Sequence, residues 1–139
     1  MYLLLVLFYL LFLLYINDIC TSTSLLQFIL YADDTNIFIS GNDINVLCNI
    51  VNFELINVMN WFSANRLSVN IKKTNFMIFG SLYALNKIIN INLKLNDICI
   101  QRTTSAKFLG VLIDEQLNWK CHINYICNKI AKNIGIIKK

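Results

Sequence analysis

The first sixteen positions, Met1 to Ile16, are apolar or aromatic without interruption. As a helix they would span about 24 Å, short of the roughly 30 Å hydrocarbon core of a bilayer. The run lacks the basic start of a signal peptide, and no charged loop follows to orient it. It admits two readings, a membrane anchor or a buried helix, and the second is preferred. Two short β-type runs come next, residues 25–30 and 35–40, on either side of Tyr31-Ala32-Asp33-Asp34. With Gly41-Asn42-Asp43 closing the segment, the pattern predicts a hairpin whose tip lies at or near the acidic pair. Asp43 is then placed to cap a helix. Ile44, Leu47, Cys48, Val51, Leu55, Met59 and Phe62 recur at helical spacing as far as about Ala64.

Further strands are expected at residues 75–79, 91–95, 98–100 and 107–113, with a loop or short helix over 80–90. Trp119, Ile123, Ile126, Ile130, Ile134 and Ile137 form one apolar stripe, with Lys120, Lys129, Lys132 and Lys138 mostly off it. This predicts an amphipathic closing helix. The fold class is therefore α+β: a hairpin and short strands packed with helices.

Composition narrows the picture. Of 139 residues, 57% are hydrophobic and 14% charged, and proline is absent. That suits one domain with an ordinary core and excludes disordered, collagen-like and Pro-rich classes. The net charge of +4 divides sharply: residues 1–65 hold five acids and no Lys or Arg, whereas 66–139 hold all twelve basic residues and three acids. A basic second half points to a polyanionic partner or to a solvated Lys-rich face. The five cysteines form no C-x-x-C pair, and Cys121-His122 has no second ligand pair beside it. Buried, reduced thiols in an intracellular protein are expected.

The acidic pair carries the chemistry. Neighbours on a regular strand point to opposite faces, so Asp33 and Asp34 could share a ligand only at a bend. Like charges raise each other's pKa unless a cation neutralises them. No basic residue lies within thirty positions of Asp34. Mg²⁺ suits such a pair, because it takes one or two carboxylates together with phosphate oxygens and water. A solvated Asp/Asn-rich turn is the other reading of two isolated aspartates.

The surrounding residues favour the first. FILYADDTNIFISG resembles the catalytic hairpin of reverse transcriptases. Trp61, Asn65, Leu67, Asn70, Lys73, Thr74, Met77 and Phe79 are similar in spacing to the next segment of non-LTR (LINE-type) retrotransposon polymerases. Phe108-Leu109-Gly110-Val111-Leu112-Ile113-Asp114, then Leu117, Trp119, His122 and Ile123, resemble the end of that group's palm. Residues 11–19 are similar to the helix before the hairpin. These four segments follow the family's order over nearly the whole chain.

The resemblance implies an RNA-directed DNA polymerase working by two-metal phosphoryl transfer with Mg²⁺ (or Mn²⁺), on an RNA template, a DNA primer and dNTP. Asp33 matches a metal-binding aspartate and Asp34 its neighbour, while Lys73 matches a lysine near the triphosphate. Tyr31 and Ala32, with Phe108, Leu109 and Gly110, would lie by the nucleotide or primer. Residues 1–113 would be a partial palm and 114–139 the start of a thumb. Trp61, Phe62 and Trp119 are expected as core anchors, Asp18 as structural, and His122 as a packing or hydrogen-bonded residue with no visible partner for general-base work.

Two departures set the activity expected. The family's first metal-binding aspartate lies upstream of the hairpin, and nothing here supplies it; the fingers are missing too. Where the family shows Gln-Gly and Gly-Pro, this chain has Leu3, Leu4, Phe8 and Tyr9, too bulky for the close backbone approach that glycine permits. The chain is therefore expected to be an inactive C-terminal palm piece. The alternatives are a small membrane-anchored protein held by residues 1–16, or a nucleic-acid-binding module without catalysis.

Overall fold

In the computed structural model, which describes residues 10–88 and 91–137, the described part of the apolar start, residues 10–16, is helical. Helix α1 covers residues 10–16 and runs into a 3-10 turn, Asn17–Ser22. There follow β1 (Gln27–Tyr31), β2 (Asp34–Phe38), α2 (Ile44–Ala64), β3 (Asn75–Phe76) and α3 (Leu82–Asn86). The remainder is β4 (Lys94–Leu95), β5 (Ile98–Cys99), β6 (Gln101–Arg102), β7 (Ser105–Phe108), β8 (Val111–Asp114) and α4 (Lys120–Ile137). This is an α+β architecture of helices and four two-stranded sheets. The described residues fall into two compact units. One holds those up to Ile71 with Ile91–Cys99, and the other those of Lys72–Asn90 and Ile100–Lys139.

The first unit has the clearer core. Ile16, Ile19, Leu26 and Val58 are buried together, Ile19 with 0% exposure. β1 and β2 pair antiparallel, Phe28 opposite Ile37 and Tyr31 opposite Asp34. Alternation along the strands turns Phe28, Leu30 and Ile37 onto this cluster and leaves Gln27, Ile29, Tyr31 and Phe38 exposed. Full burial of such a side chain contributes about 1.5–3 kcal/mol, and these half-buried ones a part of that. Asp43 caps α2 as its position implied: one carboxylate oxygen accepts the N–H groups of Asn45 (2.8 Å) and Val46 (3.2 Å). At the far end of α2 the Tyr15 hydroxyl donates to the carbonyl of Asn65. Asn52 fastens the β4–β5 hairpin to the same helix, accepting from the Lys94 N–H (2.9 Å) and donating to the Asn92 carbonyl (3.1 Å).

In the second unit β3 and β6 pair in parallel, and β7 and β8 form an antiparallel hairpin. Asp114, at the end of β8, is buried, and one carboxylate oxygen accepts the N–H groups of Gln116 (3.0 Å) and Asn118 (3.1 Å). That shapes the turn into α4. Glu115 meets the Arg102 guanidinium at 3.1 Å. His122, one turn into α4, accepts the Leu112 N–H on Nδ1 at 3.2 Å.

Several expectations change. Residues 107–113 are not one strand, because Leu109 and Gly110 turn the chain back between β7 and β8. The strands expected at 75–79, 91–95 and 98–100 shrink to pairs of residues. The thiols are not buried: Cys20, Cys99, Cys121 and Cys127 are exposed and Cys48 is intermediate, all five free. Burial does push the Cys48 thiol above its ordinary pKa. Trp61 and Phe62 lean on the core as expected, but Trp119 is half exposed on a positive-φ residue. The α4 stripe of Ile123, Ile126, Ile130 and Ile134 is exposed. His122 is hydrogen-bonded, one of the two readings open for it. The reading of residues 1–16 as a membrane anchor falls largely outside the described residues; among those described, no helix is long and apolar enough to cross a membrane.

Candidate functional site

The acidic pair sits where the strand pattern put it, at the tip of β1–β2. Tyr31 closes the ladder opposite Asp34, which leaves Ala32 and Asp33 as a two-residue loop. Ala32 has φ of 54°, and Asp33 is not among the positive-φ residues. A positive φ at the first loop position alone is the pattern of a type II′ turn, where glycine is usual. An alanine there costs about 1–2 kcal/mol relative to an unstrained residue. The core packing of Phe28, Leu30 and Ile37 beneath the hairpin offsets that cost.

Asp33 at the apex and Asp34 at the start of β2 are both exposed. A straight strand would send adjacent side chains to opposite faces, and the bend removes that constraint. Their oxygens are hard donors of the kind Mg²⁺ prefers, with its other positions left to water and phosphate. Among the described residues no cluster of three or more His, Cys, Asp or Glu could hold a metal ion. The turn thus presents two carboxylates and no complete cage.

The other residues singled out by sequence lie in the second unit. Lys73 is exposed on a turn over residues 71–73, just before β3. Phe108 ends β7 half-buried, while Leu109 and Gly110 form the β7–β8 loop with φ of 48° and 89°. Two positive-φ loop residues make a type I′ turn, whose twist matches that of the flanking strands. The structure therefore gathers Tyr31, Ala32, Asp33 and Asp34 on one turn and Phe108, Leu109 and Gly110 on another.

Asp114 and His122, both named from the sequence, organise the second unit through partners that the sequence alone does not give. No local signal marks the His122 bond, since it joins a helix side chain to a strand amide ten positions back. Asp114 was more legible, because an aspartate two and four residues before polar amides is a common turn former.

The family model for reverse transcriptase (RNA-dependent DNA polymerase) matches residues 9–113. No curated protein and no solved structure matches the chain.

Proposed function

The chain belongs to the reverse transcriptase (RNA-dependent DNA polymerase) family, and from that premise we propose that β1–β2 is the catalytic hairpin of a non-LTR (LINE-type) polymerase palm. The observation that carries the reading is the place of Tyr31-Ala32-Asp33-Asp34. A family match spanning 105 positions, residues 9–113, has this motif on the tip of a tight hairpin rather than within a strand or helix. The family implies an RNA template, a DNA primer and dNTP as partners, and divalent metal ions as cofactors.

In this reading Asp33 and Asp34 would hold Mg²⁺ (or Mn²⁺) beside the nucleotide phosphates. When bound, such ions supply the positive charge that two-metal phosphoryl transfer requires. Lys73, an exposed ammonium, would neutralise charge on the triphosphate. Tyr31 and Ala32 would flank the nucleotide, and Phe108, Leu109 and Gly110 would lie along the primer. Residues 1–113 act as partial palm and 114–139 as the start of a thumb whose lysines face phosphates.

This chain alone is proposed to be inactive. Besides the hairpin pair, its acids are Asp18, Asp43, Glu54, Asp97, Asp114 and Glu115. Asp43 and Asp114 are occupied by backbone amides, Glu115 by Arg102. Primer extension on poly(rA)/oligo(dT) with Mg²⁺ is the direct test, with no synthesis expected; synthesis abolished by Asp33→Ala would overturn the claim of inactivity. Metal binding is read separately. Mn²⁺ should broaden the amide resonances of residues 31–35 in the wild type and spare them in an Asp33→Asn/Asp34→Asn variant. Equal broadening in both would defeat the assignment of these carboxylates.

A further inference from the structure

We propose that His122 is a positioning residue that latches the β7–β8 hairpin to α4 through Leu112, and that protonation of its ring opens the latch. The inference goes beyond the polymerase reading and does not depend on it.

The argument starts from strand register. β7–β8 has a two-residue loop, so the closing pair Phe108–Val111 exchanges backbone hydrogen bonds. The next pair, Lys107–Leu112, then does not, and the Leu112 N–H points off the open edge of β8. Among the described residues these two strands form a sheet by themselves, with no third strand to receive that group. A half-buried edge amide without an acceptor is costly. His122 Nδ1 takes the place of the missing strand at this rung, accepting at 3.2 Å. The imidazole is held in turn by stacking on Tyr125, with ring centroids 6.4 Å apart and planes at 27°.

The consequence concerns the Phe108–Gly110 turn. Leu112 is two residues past Gly110, so an anchor there limits how far the loop can swing relative to α4. Without it, hairpin and helix are joined on the chain only through the turn shaped by Asp114.

An acceptor nitrogen must keep its lone pair. A doubly protonated imidazole donates from both nitrogens and repels the amide. Protonation therefore converts the contact from a bond into a clash of two N–H groups. The charged and titratable side chains on the elements packed here are Lys107 on β7, Asp114 on β8, and Lys120, Cys121, Tyr125, Cys127, Lys129 and Lys132 on α4. Lys107 Nζ lies 5.8 Å over the Tyr125 ring, and the Asp114 carboxylate is engaged by Gln116 and Asn118. Neither is seen to pair with the imidazole.

Hydrogen exchange of the Leu112 amide tests this, expressed as protection relative to the intrinsic rate at each pH. In the wild type, protection at pH 8 should fall about tenfold at pH 5, in line with the loss of one hydrogen bond. His122→Ala should lack that protection at both pH values. His122→Asn places its Oδ1 where Nδ1 stood, and should keep the protection at both. Equal wild-type protection at pH 8 and pH 5 would overturn the proposal, as would an Asn variant that loses protection on acidification as the wild type does. The wild-type comparison needs no substitution, so it decides the matter even where the Ala variant fails to fold.

Discussion

Two of the three described hairpins with two-residue loops, β1–β2 and β7–β8, differ in what holds them. β1–β2 lays one face on a buried cluster and carries carboxylates at its tip. β7–β8 is half-buried along both strands and is tied by a side chain from α4 and by a buried aspartate at its base. Their turns share one feature and differ in another: each opens on a non-glycine residue at positive φ, Ala32 in the first and Leu109 in the second, and only the second adds a glycine, Gly110 at φ of 89°. A strained non-glycine residue persists where the strands on either side over-determine the conformation.

The largest test removes the floor. Ile19→Ala should destabilise the protein by about 2–5 kcal/mol in urea denaturation, because the site is fully enclosed; a loss below about 1 kcal/mol would mean that the hairpin does not depend on that cluster. Next come the turns, where opposite signs are expected. Gly110→Ala should cost about 1–2 kcal/mol, since φ of 89° disfavours any side chain even with open space around it. Ala32→Gly should stabilise by a smaller margin, about 1 kcal/mol, as relief of strain is partly cancelled by glycine's entropy in the unfolded chain. The same sign for both would erase the contrast.

Smaller still is the cap of the helix that backs β1–β2. Asp43→Ala should cost about 1 kcal/mol, read from the thermal midpoint. The mildest effect concerns Cys48, whose thiol is pushed up by burial. A raised pKa favours the neutral thiol in the folded state. That small contribution is complete below the unfolded thiol's pKa and fades as pH rises through the folded value. Iodoacetamide at pH 8 should accordingly modify Cys20, Cys99, Cys121 and Cys127 before Cys48. Faster labelling of Cys48 would contradict its burial.

Much of the fold was legible along the chain. Over 80–90 the pattern fits a loop as well as the short helix found there, whereas the α2 helix and its Asp43 cap, the β1–β2 hairpin and the closing helix all follow from local periodicity and capping chemistry. So does the bend under Asp33 and Asp34, because an acidic pair between two alternating runs has few other homes. The short strands were misjudged in length. Two-residue ladders are set by what lies opposite them, as Asn75 and Phe76 meet Gln101 and Arg102.

What the sequence determined by itself is therefore the list of elements and the chemistry of the acidic turn, since periodicity, caps and turn residues act over a few neighbours. Tertiary structure alone decided where Leu109 and Gly110 fold the apparent strand 107–113 back on itself, which apolar residues are covered, and that His122 completes the edge of β8. The covering depends on groups far apart in the chain, the His122 bond on a helix meeting a strand amide ten positions back, and the turn on how the short strands beside it pair.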